Sequence, residues 1–230
     1  MTEGSDRIWV IDPSLNHTED QGVAEILQGW SGDSRLMRPA LANDGPGVGD
    51  GYRVGAVVLM GSAASVHDDL PWLTALRGWL QPILMGEVRC ALLGICFGHQ
   101  LIADIVGARV DWLTDSHEKR VGVERTRVRD SRLLSAGADL RVVVSHRETV
   151  VEAPNLYRVT ASRPDVPFDG LEHESLEVYS YQFHPEAREE FAARAGIAEV
   201  EIDDRLRKDS RAVLDGFRGR CDAQKKRAGG

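Results

Sequence analysis

Long apolar runs, paired cysteines and a surplus of basic charge are all missing from this chain of 230 residues. No stretch approaches the roughly 18 to 20 apolar residues that a membrane-crossing helix needs. Glu3 and Asp6 interrupt the N-terminus, where a secretory leader would be apolar. Membrane insertion and secretion are therefore not expected. Lysine is confined to Lys119, Lys208, Lys225 and Lys226, and 36 acidic against 28 basic residues leave a formal net charge of −8. A chain so poor in positive charge lacks the basic face that a phosphate backbone requires, so no nucleic-acid partner is expected. There are three cysteines and no paired cysteine motif. Cys96 and His99 have ligand-like spacing, but no second histidine cluster accompanies them, so no metal site is expected. So few cysteines, one of them in a setting that calls for a free thiol, suit a reducing compartment, and the cytoplasm is the expected location.

What the chain does contain is enough apolar residue, 42%, to build a substantial core. Apolar strand-like runs alternate with helical spacing along most of it, which predicts an α/β fold: an open, mostly parallel sheet with helices on both faces. One domain over residues 1–230 is expected, its core at about 7–190, followed by a C-terminal helix and basic tail over 191–230. Charged residues from Arg205 to Arg220 alternate with Leu206, Ala212, Val213, Leu214 and Phe217, as in an amphipathic helix, and residues 224–230 read as a frayed tail. The glycine-rich stretch 43–51 and the Pro/Gly-containing stretch 162–170 read as loops. The first has neither the lysine of a phosphate loop nor the strand-then-helix setting of a dinucleotide site.

One cysteine stands apart. The run Ala91-Leu92-Leu93-Gly94-Ile95-Cys96-Phe97-Gly98-His99-Gln100 sets Cys96 between two glycines, after an apolar strand and before the helically spaced Leu101-Ile102-Ala103-Asp104-Ile105-Val106. This is the pattern of a nucleophile on a tight strand-to-helix turn. At a helix start, unpaired N–H groups and the positive end of the helix dipole favour an anionic sulfur. Gly94 and Gly98 leave room where the turn is sharp. Cys90, inside the strand, reads as a small core residue.

A sulfur nucleophile needs a base, and the base needs a group that fixes its tautomer. Both are offered by Val178-Tyr179-Ser180-Tyr181-Gln182-Phe183-His184-Pro185-Glu186, where Pro185 biases His184 towards extended backbone at a strand end and Glu186 follows two residues later. Positions 96 and 184 lie 88 residues apart, and only the fold brings them together. Of the other histidines, His99 falls on the helix after the cysteine as a packing or hydrogen-bonding residue. His17, His67, His117 and His173 read as solvated.

With these pieces in place, the strings GICFGHQ and YQFHPE and the segment Gly61-Ser62-Ala63-Ala64-Ser65-Val66 together resemble a class I glutamine amidotransferase domain of the GMP synthetase-like subtype, over roughly residues 7–190. The resemblance implies a Cys96–His184–Glu186 triad that hydrolyses the γ-carboxamide of glutamine through a γ-glutamyl thioester and releases ammonia. It implies an oxyanion hole at the Gly61-Ser62 turn and Phe97, substrate contacts at Gln100 and around Ser145 and His146, and no cofactor. Two segments depart from the family pattern. Arg120-Val121-Gly122-Val123 stands where a glutamate precedes Ile-Gly-Trp, and Ser145-His146-Arg147-Glu148 stands where Ser-His-Gly-Asp is usual. An added arginine is able to pair with a carboxylate on a substrate larger than glutamine, or to remain a solvated charge.

Three functions stay open. The first is a glutaminase feeding ammonia to a synthetase on a separate polypeptide, since the chain carries no ATP-binding motif. The second is a stand-alone peptidase or transferase acting on γ-glutamyl amides or peptides. The third is a catalytically silent scaffold on the same fold.

Overall fold

The computed structural model describes residues 6–47 and 51–228, with side chains described through Gln224. Positions 48–50 of the expected glycine-rich loop and positions 229–230 of the expected tail lie outside the described residues.

Three apolar runs set the centre of the fold. Strands β1 (Ile8–Ile11), β3 (Ala56–Leu59) and β4 (Ala91–Ile95) are buried at every position, which is the pattern of parallel strands covered on both faces. Alternate residues serve opposite sides. Trp9, Ile11, Val57, Leu59 and Leu92 face one core with α3 (Pro71–Leu84) and α4 (Phe97–Ile105). Ile8, Val10, Ala56, Val58, Ala91 and Leu93 face a second core with α1 (Asp20–Leu27) and α6 (Asp204–Ala228). Helices therefore cover both faces, as the alternation of apolar runs predicted. Each fully buried Leu, Val or Ile in these layers stabilises the fold by about 1.5–3 kcal/mol.

The sheet has nine strands in the order β2-β1-β3-β4-β11-β10-β9-β6-β7. Its five strands β2 (Ser34–Met37), β1, β3, β4 and β11 (Val178–Tyr181) pair in parallel. The remaining strands, β10 (Val166–His173), β9 (Tyr157–Arg163), β6 (Arg120–Val128) and β7 (Asp139–His146), extend it antiparallel. A small second sheet joins β5 (Val110–Trp112) to β8 (Glu148–Val150), and α2 (Pro39–Ala42) is a single turn.

Two expectations are corrected here. Residues 162–170 are not a loop but the end of β9, a two-residue turn at Pro164-Asp165, and most of β10. Pro167 is tolerated because it falls in the register shift between Val166 and Gly170, where the ladder asks for no N–H. The C-terminal helix is also longer than its apolar stripe suggested, running to Ala228, beyond the start of the expected frayed tail. It buries Leu206, Val213, Leu214 and Phe217. No helix among the described residues is long and apolar enough to cross a membrane.

Candidate active site

Strand register decides which residues meet. In the β3–β4 pair Leu59 lies opposite Gly94, and in the β4–β11 pair Ile95 lies opposite Tyr181. The chain leaving each strand at its carboxyl end thus places Gly61, Cys96 and Gln182 side by side, with His184 just beyond. Ligands bind at this end of parallel sheets. An isolated bridge and the hydrogen bond from His184 N to Val143 O (2.9 Å) fasten the histidine to β7. Cys96, His184, Glu186, Gly61, Ser62, Gln100, Ser145 and His146 all line one cavity of about 460 Å³.

Cys96 occupies the turn between β4 and α4 at φ 50°, ψ −102°. A non-glycine residue at positive φ is strained, and such strain gathers at functional turns. The surroundings enforce it. A side chain at Gly98 would come within 2.3 Å of Leu59 O, and one at Gly94 within 2.7 Å of Gly98 O, so helix and strand approach too closely for anything but glycine. Sγ lies 3.9 Å from Ser145 O, to which its thiol hydrogen is directed, and 3.7 Å from the amide nitrogen of Gln182.

His184 is buried, and its Nδ1 is 2.8 Å from Glu186 Oε1. Nε2 is buried without a hydrogen-bond partner among the described residues, and the ring and Cys96 interact electrostatically. Burial alone would lower the imidazole pKa. Its interactions with Cys96 and Glu186 outweigh burial and raise the value to about 10. His184 is thus held protonated at neutral pH, with Glu186 against its Nδ1. Glu186 is fixed from behind by α1: a Cβ at Gly22 would sit 3.0 Å from Glu186 Cγ. The Phe191 ring of α5 (Glu189–Ala195) covers His184 at 4.5 Å.

Gly61 and Ser62 form the turn after β3. Ser62 Oγ donates to Pro13 O (2.7 Å) and accepts from Ala64 N (3.1 Å), which locks the turn against the loop after β1. Asp12, wholly buried, holds that loop through Ser14 N, Ser14 Oγ and Glu19 N. A Cβ on Gly61 would lie 2.8 Å from His184 Cε1 and 3.6 Å from Cys96 Cβ. Gly61→Ala is therefore expected to displace the imidazole and lower glutamine turnover roughly 100-fold with the fold retained. Steady-state kinetics beside a thermal melt checks this, and near-parental turnover would contradict it.

At the opposite wall, Gln100 donates through Nε2 to Glu148 O (2.6 Å) and Gln182 Oε1 (3.2 Å). His146 has both ring nitrogens engaged, Nδ1 with Glu148 O (3.0 Å) and Nε2 with an Arg163 guanidinium nitrogen (3.2 Å). The arginine donates to Nε2, so the Nδ1 proton faces the carbonyl. Burial and the Arg163 charge lower the His146 pKa to about 4, and burial lowers that of His99 to about 3. Both rings are neutral structural members. His99 Nδ1 lies 2.8 Å from Ser180 Oγ.

Sequence reasoning passed over several of these groups. Arg163 and Asp169 lie in the stretch read as a chemistry-free loop. They form a buried pair at 2.9 Å, and Arg163 also reaches Glu124 and His146. Phe191 carried no local signal at all. Gln182 was visible as part of a strand and of the YQFHPE string, with no role given to it. Arg120 does not line the cavity: it pairs with Glu124 (3.1 Å) and Asp165 (3.0 Å). His173 is buried rather than solvated, and its Nδ1 accepts from Ser175 N (3.1 Å) and Leu176 N (3.0 Å).

Known proteins share both the sequence and the fold. The sequence model of the family described as Glutamine amidotransferase class-I matches residues 82–198. Among curated relatives, a subunit of the glutamine-hydrolyzing GMP synthase of Methanopyrus kandleri is 39% identical over 108 residues, covering 46% of this chain and 55% of that one. The glutamine-hydrolyzing GMP synthase of Burkholderia vietnamiensis is 33% identical over 141 residues, covering 57% of this chain and 24% of that one. The match thus spans about half of the first relative's length and a quarter of the second's. In fold, a glutamine amido transferase from Methylobacillus flagellatus superposes with a TM-score of 0.76 at 18% identity, covering 93% of this chain and 94% of its own.

Proposed function

The chain belongs to the class I glutamine amidotransferase family, and from that premise we propose that it hydrolyses glutamine to glutamate and ammonia through Cys96, His184 and Glu186. The observation that carries the reading is the strand register that sets the cysteine beside the histidine-bearing strand end, around one cavity. Cys96 Sγ attacks the γ-carboxamide carbon. The oxygen gathers negative charge towards the main-chain N–H groups of Phe97 and the Gly61-Ser62 turn, where one donor contributes about 3 kcal/mol of transition-state stabilisation. His184 passes its proton to the departing nitrogen, and ammonia leaves a γ-glutamyl thioester. Water, deprotonated by His184, then cleaves the thioester to glutamate and frees the thiol.

The amino-acid end of glutamine is assigned to Gln100 Oε1 and to the main chain at Ser145 and His146. The Gln100 amide nitrogen and the His146 ring are already occupied within the protein. The ammonia is taken up by a separate synthetase in the cytoplasm, by analogy with the Methanopyrus kandleri relative named as a GMP synthase component. Glutamine turnover measured with and without an ATP-dependent amidating synthetase and its acceptor tests this. Stimulation is expected, and unchanged turnover with every candidate partner would remove the synthetase from the proposal.

One observation favours γ-glutamyl amides or peptides as a second substrate class. Lys119 and Arg147 line the cavity, and neither has a carboxylate within 4.0 Å among the described residues. By contrast Glu19 is paired with Arg194, and Asp68 and Glu148 accept from Ser65. On this reading Arg147→Ala lowers kcat/KM for γ-glutamyl amino acids about 10-fold, the loss of one charge-assisted contact, and leaves free glutamine unaffected. Equal losses on both substrates would discard it.

A further inference from the structure

Gln182 is wholly buried in the wall behind the nucleophile, and the triad chemistry makes no use of it. Its side chain lies between two fixed points. Nε2 is 3.7 Å from Cys96 Sγ, within hydrogen-bond reach for sulfur, and Oε1 accepts from Gln100 Nε2 at 3.2 Å. Gln100 is itself pinned by its 2.6 Å bond to Glu148 O. An amide whose oxygen is occupied by a donor has only its N–H edge left to present, so the group facing the sulfur is a donor. The Gln182 main chain is held as well, its N–H donating to Asp169 O at 2.9 Å.

We propose that Gln182 is a positioning residue for the nucleophile, its amide N–H holding the Cys96 sulfur in its anionic, attack-ready orientation while Gln100 fixes the amide. Two contacts divide the states of the sulfur between them. As a thiol, Cys96 directs its hydrogen to Ser145 O (3.9 Å). As a thiolate it has no hydrogen to give, and the Gln182 N–H becomes its partner. The donor therefore favours the charged form, as hydrogen bonds to a charged group do. It also restrains the sulfur sideways while His184 moves protons. Charged and titratable groups line the cavity around the sulfur from several elements. His184 and Glu186 follow β11, His146 lies on β7, and Arg147 and Glu148 lie at β8. Lys119 precedes β6, Asp68 precedes α3, His17 and Glu19 precede α1, and Arg194 lies on α5. His146 is neutral at pH 7 and His184 is protonated, and Gln182 is the neutral donor within hydrogen-bond reach of Cys96 Sγ.

The inference rests on Cys96 being the nucleophile but not on glutamine being its substrate. The test is the pH dependence of Cys96 alkylation by iodoacetamide in the intact chain, read by peptide mass to separate it from the buried Cys90 and Cys221. Gln182→Met keeps size and removes the donor. Its alkylation midpoint should move up by about one pH unit, which is the shift expected when one hydrogen bond to a charged group is lost. Turnover should fall about 10-fold with KM little changed, as for an interaction made to the reacting group and not to bound substrate. Gln182→Glu keeps an acceptor for Gln100 and sets a carboxylate against the sulfur, so its midpoint should rise further. If Gln182→Met fails to give a cooperative melt, Gln182→Glu decides. A folded variant with the parental midpoint, or one altered in KM alone, overturns the assignment. An upshifted midpoint in a protein that never turns over glutamine would leave Gln182 in this role and overturn the proposed substrate instead.

Discussion

Cys96→Ala is expected to abolish thioester formation and to cut glutamine hydrolysis on the order of 10⁴-fold or more, because removing the nucleophile removes the whole two-step route. The readout is intact mass. The parent, quenched during turnover, should carry one γ-glutamyl group on the peptide containing Cys96, and the variant none. The fold should survive, since Cys96 contributes one small buried side chain at the edge of a core built mainly by β1, β3, β4, α1 and α6. The positive φ of Cys96 also makes alanine no worse than the parent in backbone terms. Cys96→Ser separates chemistry from shape. It is nearly isosteric, yet a hydroxyl is far less acidic than a thiol and a protonated His184 has no lone pair free to accept its proton, so it should be almost as inactive. A serine variant with parental turnover would show that the sulfur is not the attacking atom. A parent that never carries the mass increase with glutamine, but does with a γ-glutamyl peptide, would transfer the assignment to the second substrate class. A parent labelled by neither substrate would favour the catalytically silent scaffold.

Much of this architecture is legible in sequence because the central strands are buried on both faces. Residues 8–11, 56–60 and 91–95 are continuous apolar runs, and the glycines around Cys96 announce a turn too tight for side chains. The antiparallel half is harder to read. Its strands are partly exposed, and Pro164, Pro167 and Gly170 look like loop punctuation. Pro167 in fact sits, exposed, in a register shift of β10, so its missing N–H costs the ladder nothing. The site is legible only in part for a related reason. Cys96, His184 and Glu186 lie in short motifs whose local spacing implies chemistry. Gln182, Arg163, Asp169 and Phe191 take their environments from contacts across the sheet or from α5. Nothing in the residues next to Arg163 says that its guanidinium ends on His146 and fixes that ring's tautomer.

Glu186→Gln is expected to lower turnover on the order of 10⁴-fold, close to the loss known for replacing the carboxylate that orients a catalytic histidine by its amide. Two effects combine. An amide is able to turn its NH₂ towards His184 Nδ1, which would force the proton onto Nε2 of a neutral ring. The lost charge also removes part of what keeps His184 protonated. In the parent, burial pulls the imidazole pKa down and the interactions with Cys96 and Glu186 outweigh it, raising the value to about 10. A cation stabilised in this way persists at every pH below that value and is lost as pH rises through it. Acylation, which needs the imidazolium to protonate the departing ammonia, should therefore stay level through neutral and mildly alkaline pH and fall towards pH 10. Removing the Glu186 charge lowers the folded-state pKa, so the alkaline limb of the Glu186→Gln profile must move to lower pH, never higher. Single-turnover thioester formation measured across pH on both proteins reads the two limbs directly. A variant slowed as expected but with its alkaline limb unmoved would mean that Glu186 orients the ring without sustaining its charge. A limb displaced upward would mean that Glu186 does not stabilise the imidazolium at all.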